Sequence, residues 1–253
     1  MNNEAPKDDL IQQYDNISEG YASLIKTDPA KIFVQYPAAL KLLGNVKDKK
    51  ILDIGCGDGT FTRMLARRGA KVIGYDPSAK QIDEAQKTED HEQLGIKYFV
   101  GDEPEILPGN ECDEAVSVLV LPYATDKENL KDIFTHAYKA LTPDGSFSSI
   151  TFNPDFKRLN EIAYNRRFTK THDGKIQVDF LDEEGKVKIS AKFSDFSVLD
   201  YENAAKAAGF TKIEWIKVTI TQEGQELKGD KFWQGFEEDC PYIGIKVLKN
   251  QNM

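Results

Sequence analysis

Hydrophobic positions through the middle of the chain alternate between the spacing of strands and the spacing of helices. Short apolar runs predict strands at residues 49–54, 71–75, 96–100, 114–120 and 146–152. Between these runs, apolar residues recur every three to four positions and predict helices at residues 61–68, 78–86 and 127–142. Strands separated by helices are typical of βαβ units. The pattern therefore predicts an α/β fold with a mostly parallel sheet.

The two ends of the chain depart from this alternation. Ahead of the first strand, helical spacing predicts a helix from Ala30 to Leu43 that ends at Gly44. After Phe152, two alternating segments flank a turn at residues 182–185, which predicts a β-hairpin over residues 175–193. A helix over 201–210 and strands over 212–220 and 242–249 complete the prediction. We interpret residues 153–200 as an insertion beside the active site, and not as a separate domain.

Composition narrows the class of protein. The 253 residues carry a formal net charge of −9, which disfavours the electrostatic attraction that dominates non-specific nucleic-acid binding. The three cysteines lie far apart, without paired ligand spacing, so we expect neither a structural metal nor a disulfide framework. The polar N-terminus does not resemble a secretory signal, and no apolar run reaches the ~20 residues of a membrane span. We expect a cytoplasmic protein.

A glycine-rich segment follows the first predicted strand. Its sequence is Asp53-Ile54-Gly55-Cys56-Gly57-Asp58-Gly59, and a helix is predicted to start directly after it. Glycines there allow a tight turn and close approach of a ligand to the backbone, and a helix N-terminus offers free N–H groups. Asp76 ends the next strand, where a carboxylate can bind ribose hydroxyls. These four features together indicate a binding site for a nucleotide-type ligand, and an ordinary turn would not require them all.

The glycine spacing discriminates between two ligands. The nicotinamide fingerprint G-x-G-x-x-G needs its third glycine at position 60, where this chain has Thr60 and places the glycine at 59. The segment instead resembles the first motif of class I S-adenosylmethionine-dependent methyltransferases. The resemblance covers residues 46–152 strongly and continues more weakly to the C-terminus, and it implies a Rossmann-like sheet with an antiparallel final strand.

The resemblance also implies roles for individual residues. Asp76 would hold the ribose, with Pro77 against the adenine. Asp102 would bind the exocyclic amine, and the Glu103 backbone would bind a ring nitrogen. Val118 and Leu119, at the end of the fourth strand, would offer carbonyls to the methionine ammonium. The remaining cofactor-binding candidates are in the glycine segment: Asp53, Gly55, Cys56 and Gly57, with Cys56 making backbone contact only.

Both ends of the chain are similar to a small-molecule branch of this family that includes toxoflavin synthase. In many members an N-terminal tyrosine-bearing segment folds over the cofactor. Tyr14 and Tyr21 match this pattern, since seven positions are about two helical turns. The resemblance predicts a helical lid over residues 1–45, a cofactor-binding core over 46–152, the insertion over 153–200, and a C-terminal helix and strands over 201–253. We expect the lid and the 175–193 hairpin to wall the acceptor pocket.

No residue is an obvious general base, and Tyr21 and Tyr123 are the weak candidates. Tyr123 and Lys127 form a YxxxK pair, but it follows the fourth strand rather than the fifth, so chance explains it better than a dehydrogenase dyad. Arg166 and Arg167 are interpreted as surface residues of a helix.

The sequence thus predicts methyl transfer from S-adenosylmethionine to a small-molecule acceptor at nitrogen or oxygen. It predicts no nucleic-acid or membrane partner and gives no oligomeric state. Two alternatives stay open, a nicotinamide-dependent oxidoreductase and a protein that binds S-adenosylmethionine without catalysis.

Overall fold

A computed structural model describes residues 27–101 and 109–249 as an α/β fold. Its strands, in chain order, are β1 Lys50–Ile54, β2 Lys71–Asp76, β3 Lys97–Val100, β4 Cys112–Val118, β5 Leu141–Phe152, β6 Ile162–Ala163, β7 Arg166–Lys170, β8 Lys175–Leu181, β9 Val187–Ser194, β10 Ile213–Lys217 and β11 Tyr242–Leu248. Its α-helices are α1 Tyr36–Leu43, α2 Thr60–Ala66, α3 Ala79–Glu92, α4 Lys127–Ala140, α5 Val198–Ala208 and α6 Gln222–Phe232. A π-helical turn, Lys31–Gln35, leads into α1, and a 3₁₀ turn, Leu121–Tyr123, follows β4.

The central sheet has seven strands in the order β10-β11-β5-β4-β1-β2-β3. Strands β1 to β5 run parallel, and β11 pairs antiparallel with both β5 and β10. This confirms the predicted Rossmann-like sheet with an antiparallel final strand. The carboxyl ends of β1, β2, β4 and β5 meet at one edge, where ligands of open α/β sheets bind. The start of β11 lies at the same edge, because Tyr242 pairs with Phe152.

The sheet is covered on both faces. Neighbouring residues of β1 show this, since Ile51 packs in one apolar cluster with α1, α2 and α3, while Leu52 packs in another with α4 and α5. Residues of a parallel strand buried on both faces read as a continuous apolar run, which is why the sequence located these strands well. Within residues 27–101 and 109–249, no helix is long and apolar enough to span a membrane.

A second, smaller sheet follows β5 and contains the predicted hairpin. Strands β8 and β9 pair antiparallel, and β6 and β7 extend them into a four-stranded antiparallel sheet. The interpretation of Arg166 and Arg167 as residues of a surface helix is wrong, because both lie on β7 and Arg166 is 3% exposed. The error arises because Arg166 occupies a buried position of β7, and a sequence pattern assigns a charged residue to the surface.

The helix predicted from Ala30 to Leu43 forms, but its first turn is π-helical and not α-helical. The N–H of Tyr36 bonds to the carbonyl of Lys31, five residues back, so this turn holds one residue more than an α-helical turn. As a result Ile32 is 39% exposed, whereas the polar Gln35 is fully buried at 0%. The helix α6 was not predicted, and the strand expected over 212–220 ends at Lys217.

Candidate active site

The loop between β1 and α2 is a tight left-handed turn. Gly55, Gly57 and Gly59 have φ values of 65°, 56° and 73°, which side chains rarely adopt. A Cβ at Gly55 would overlap the Val120 side chain, so the loop packs closely against the end of β4. A Cβ at Gly57 would meet nothing nearer than Gln81 Oε1 at 3.7 Å. Glycine at position 57 therefore leaves the loop's backbone open to close approach by a ligand.

Asp76 joins this loop to the end of β2. Its Oδ2 accepts a hydrogen bond of 2.9 Å from the N–H of Gly57, and its Oδ1 accepts one of 2.9 Å from the N–H of Ser78. Pro77 follows at an exposed position. The structure thus brings together the glycines and the acidic residue that the sequence had paired by spacing alone.

The side chains of Asp53, on β1, and of Cys56, in the loop itself, are buried beneath the loop's backbone. Asp53 is 2% exposed, and its Oδ2 accepts a 2.6 Å hydrogen bond from Thr62 Oγ1, which ties β1 to α2. Burial raises the pKa of Asp53 to about 7, with a further rise from the charge of Asp76 and an opposing effect of the Thr62 hydrogen bond. Burial, reinforced by the Asp53 and Asp76 charges, raises the pKa of the Cys56 thiol well above its usual value. The thiol is therefore protonated near neutral pH.

The carboxyl end of β4 supplies three further predicted residues. Val118 and Leu119 are partly buried, and Leu119 has a φ of 57°, an uncommon conformation for a bulky residue. Its N–H donates a 2.7 Å hydrogen bond to the carbonyl of Ile150, which holds the strained position in place. Tyr123 lies in the next turn, with its ring edge-on to Phe193 at 5.8 Å between centroids. Backbone strain of this kind clusters at functional sites.

A cleft opens beside this strand end, between the central sheet and the second sheet. Its empty volume is about 420 Å³, part of it open to solvent. The apolar wall is formed mainly by side chains from β5, β7, β8, β9 and the end of β4: Leu119, Pro122, Phe152, Phe168, Phe180 and Phe193. The ring of Phe152 lies 5.3 Å from that of Phe168 and 5.0 Å from that of Phe193, so the wall is a continuous aromatic surface.

The rest of the cleft's lining is polar and comes from the start of the N-terminal helix, β7 and β11. Asp28, Lys31 and Gln35 belong to it, together with Arg166 and Tyr242. Asp28 and Arg166 form an ion pair in which both side chains are 3% exposed. Burial lowers the pKa of Lys31; the Asp28 and Asp58 charges oppose this effect, and the Arg166 charge adds to it. Lys31 therefore lies within electrostatic range of both the cleft and the glycine loop.

The remaining sequence predictions divide into two groups. Tyr14, Tyr21, Asp102 and Glu103 lie outside the described residues. Lys127 forms a 2.6 Å ion pair with Asp200 at the surface, which favours chance as the origin of the YxxxK pair.

The polar side of the cleft was missed by the sequence analysis. Its residues Asp28, Gln35 and Arg166 follow no local motif. A π-helical turn and a pairing of distant residues create this arrangement, and neither has a recognisable sequence pattern.

Comparison with known proteins finds similarity over the core of the chain. Residues 51–145 match the model of a methyltransferase domain family. The chain is 31% identical over 143 residues to a ubiquinone biosynthesis O-methyltransferase of Rhodopseudomonas palustris (strain HaA2), covering 54% of this chain and 55% of that relative. It is 37% identical over 108 residues to the mitochondrial counterpart of Rattus norvegicus, covering 41% of this chain and 31% of that one. The chain thus spans about half or less of the length of these curated relatives.

Two solved structures share the fold across nearly the whole chain. An S-adenosylmethionine-dependent methyltransferase from Mesorhizobium loti superposes with a TM-score of 0.62 at 22% identity, covering 88% of this chain and 99% of that one. The CcbJ methyltransferase from Streptomyces caelestis gives a TM-score of 0.63 at 14% identity, covering 91% and 96%. These structures show that the chain shares their fold, and residues 51–145 are similar to a methyltransferase domain family; both findings agree with the predicted enzyme class and cofactor.

Proposed function

We propose that this protein transfers the methyl group of S-adenosylmethionine to nitrogen or oxygen of a small-molecule acceptor bound in the cleft. The observation that carries the proposal is the position of Leu119. This residue directly follows β4, the strand expected to hold the methionine part of the cofactor, and it also lines the cleft. A methyl donor on the glycine loop and an acceptor in the cleft would therefore both lie next to Leu119.

The cofactor site in this proposal follows the sequence prediction. Asp76 would accept the ribose hydroxyls while it keeps the Gly57 N–H in place, and the bare backbone at Gly57 fits a closely approaching ligand. We propose a positioning role for Asp53, because its carboxyl group is already bonded to Thr62 beneath the loop. Pro77, Val118 and Leu119 would contact the cofactor. Tyr14, Tyr21, Asp102 and Glu103 keep the roles that the resemblance implies.

The protein's contribution to such a reaction is mainly alignment. S-adenosylmethionine supplies a methyl group that its sulfonium already activates. The side chains of the cleft hold an acceptor in line with this group and exclude water. A base is needed only if the attacking atom carries a proton. Lys31 and Tyr123 line the cleft; burial favours the neutral amine of Lys31, which can take a proton, whereas Tyr123 can do so only as a phenolate.

The acceptor is proposed to be a small metabolite, and not a nucleic acid, on the strength of the −9 charge and the mainly apolar lining of the cleft. A ubiquinone-pathway substrate of the curated relatives and the small-molecule branch of the sequence resemblance both point to this class. The test is mass spectrometry of a metabolite pool incubated with the protein and methyl-labelled donor. A labelled small molecule that depends on the protein supports the proposal, whereas label that enters only nucleic acid or protein contradicts it.

A further inference from the structure

Gln35 is a buried amide that lines the cleft without a hydrogen bond. The side chain is 0% exposed, and neither its Oε1 nor its Nε2 has a hydrogen-bond partner among the described residues. Burial raises the pKa of the nearby Tyr242 phenol and its contact with the Gln35 amide opposes that rise, but this contact lacks the geometry of a complete hydrogen bond. An unpaired buried amide is destabilising, and native proteins keep few of them. Groups of this kind therefore need an explanation, and ligand recognition is a frequent one.

The local backbone supports the same interpretation. Gln35 ends the π-helical turn, and this turn is what moves a polar residue into the interior while Ile32 becomes exposed. π-helical turns occur frequently at functional sites because the wider turn redirects side chains at some loss of helix stability. The π-helical turn thus places the amide of Gln35 in the lining of the cleft.

The rest of the cleft restricts what this amide can bind. Four phenylalanine rings line the same cleft, and such a lining suits a flat aromatic ligand. The neighbouring charges of Asp28 and Arg166 compensate each other in their ion pair. A carboxamide offers one acceptor oxygen beside a donor nitrogen, so it matches an edge that carries the complementary pair.

We propose that the acceptor is a planar ring with a hydrogen-bond donor beside an acceptor on one edge, as in a lactam, and that Gln35 recognises this edge with both amide atoms. This rests on the proposed function, because it names the ligand class of the same cleft. A site built to pair with such an edge rejects an analogue that lacks one of the two groups, since a buried polar atom then stays unpaired.

The experiment compares two probes of nearly the same shape. 2-Quinolone carries a ring N–H beside its carbonyl, and in coumarin an oxygen replaces that N–H. Affinities for the full chain are measured by ligand-observed NMR, with and without S-adenosylhomocysteine. We expect 2-quinolone to bind at least about tenfold more tightly than coumarin. Gln35→Leu and Gln35→Met should remove this preference, and Gln86→Leu, on the exposed face of α3, should keep it.

Thermal melting separates recognition from a structural role. Both Gln35 variants should melt at the same temperature as the wild type or higher, because they replace an unpaired amide by an apolar group. Equal affinities for the two probes in the wild type, or a preference that survives in both variants, would overturn the inference. Failure of S-adenosylhomocysteine to bind would instead overturn the proposed function and leave the probe comparison valid.

Discussion

Asp28 and Arg166 are separated by 138 residues of chain and form a buried ion pair at the side of the cleft. Asp28 precedes the N-terminal helix and also accepts a 3.1 Å hydrogen bond from the N–H of Ala30. Arg166 begins β7, donates a 3.2 Å hydrogen bond to the carbonyl of Tyr164, and lies 5.0 Å above the ring of Phe180. This pair fixes the N-terminal helix against the second sheet, and so sets the width of the cleft.

Removal of one partner of this pair should destabilise the fold strongly. We expect Arg166→Met to lower the free energy of unfolding by about 3–5 kcal/mol, because it leaves the Asp28 charge buried without compensation. Asp28→Asn in the Arg166→Met background should recover part of the loss. The measurement is urea denaturation, and Lys87→Met, which breaks an exposed ion pair on α3, should leave the midpoint unchanged. Equal effects of Arg166→Met and Lys87→Met would contradict a buried pair.

Asp53 should make stability fall as pH rises. Its folded-state pKa of about 7 lies above the unfolded value of 3.8, so the folded state binds more protons between these two values. Stability contributed by protonated Asp53 is thus lost as pH rises toward 7, by roughly 2–3 kcal/mol between pH 5 and pH 8. Asp53→Asn should remove this part of the pH dependence. Thermal unfolding of both proteins across this range checks it, and identical pH profiles would rule out the buried acid.

The aromatic wall should affect acceptor binding and not cofactor binding. Phe180→Ala removes one ring of the cleft, and we expect it to raise the acceptor's KM about fivefold or more while S-adenosylmethionine affinity stays within about twofold. Val187→Ala, at an exposed position of the same hairpin, is the matched control. Steady-state methylation of the acceptor found in the metabolite pool gives both constants. A Phe180→Ala variant that folds and keeps the wild-type KM would place the acceptor elsewhere.

Features that depend on neighbouring residues in the chain could be predicted from the sequence, and features that depend on distant residues could not. The central strands, and the positions of the glycine loop and Asp76 at the ends of β1 and β2, were predicted correctly because each depends on local spacing and on continuous apolar runs. The hairpin over 175–193 was recognised from its alternation and turn, but strands β6 and β7 beside it were not. Helix α6 buries only Gly224, so it has no apolar face that a periodic pattern could reveal.

The polar side of the cleft shows a different limit. Arg166 has the character of a surface residue in the sequence, and only its partner 138 positions away explains its burial. Gln35 has the character of a polar helix residue, and only the π-helical turn directs it inward. Patterns of hydrophobicity assign such residues to the surface, so buried polar groups need the tertiary structure to be found.

Asp76 is the residue whose loss should weaken cofactor binding most clearly. We expect Asp76→Ala to reduce the binding free energy of S-adenosylmethionine by about 1.5–3 kcal/mol, the usual contribution of hydrogen bonds to a charged group. Asp83→Ala, at an exposed position on the helix that follows, should bind the cofactor like the wild type. Titration calorimetry gives both affinities. A folded Asp76→Ala variant with wild-type affinity would remove Asp76 from the site.

The central claim is that the glycine loop and Asp76 form a site for S-adenosylmethionine and not for a nicotinamide dinucleotide. The most direct measurement is calorimetric titration of the purified chain with S-adenosylmethionine, S-adenosylhomocysteine and NAD under the same conditions. The spacing of Gly55, Gly57 and Gly59 predicts binding of the first two and no measurable binding of NAD. Micromolar NAD affinity without binding of either adenosyl compound would contradict the account.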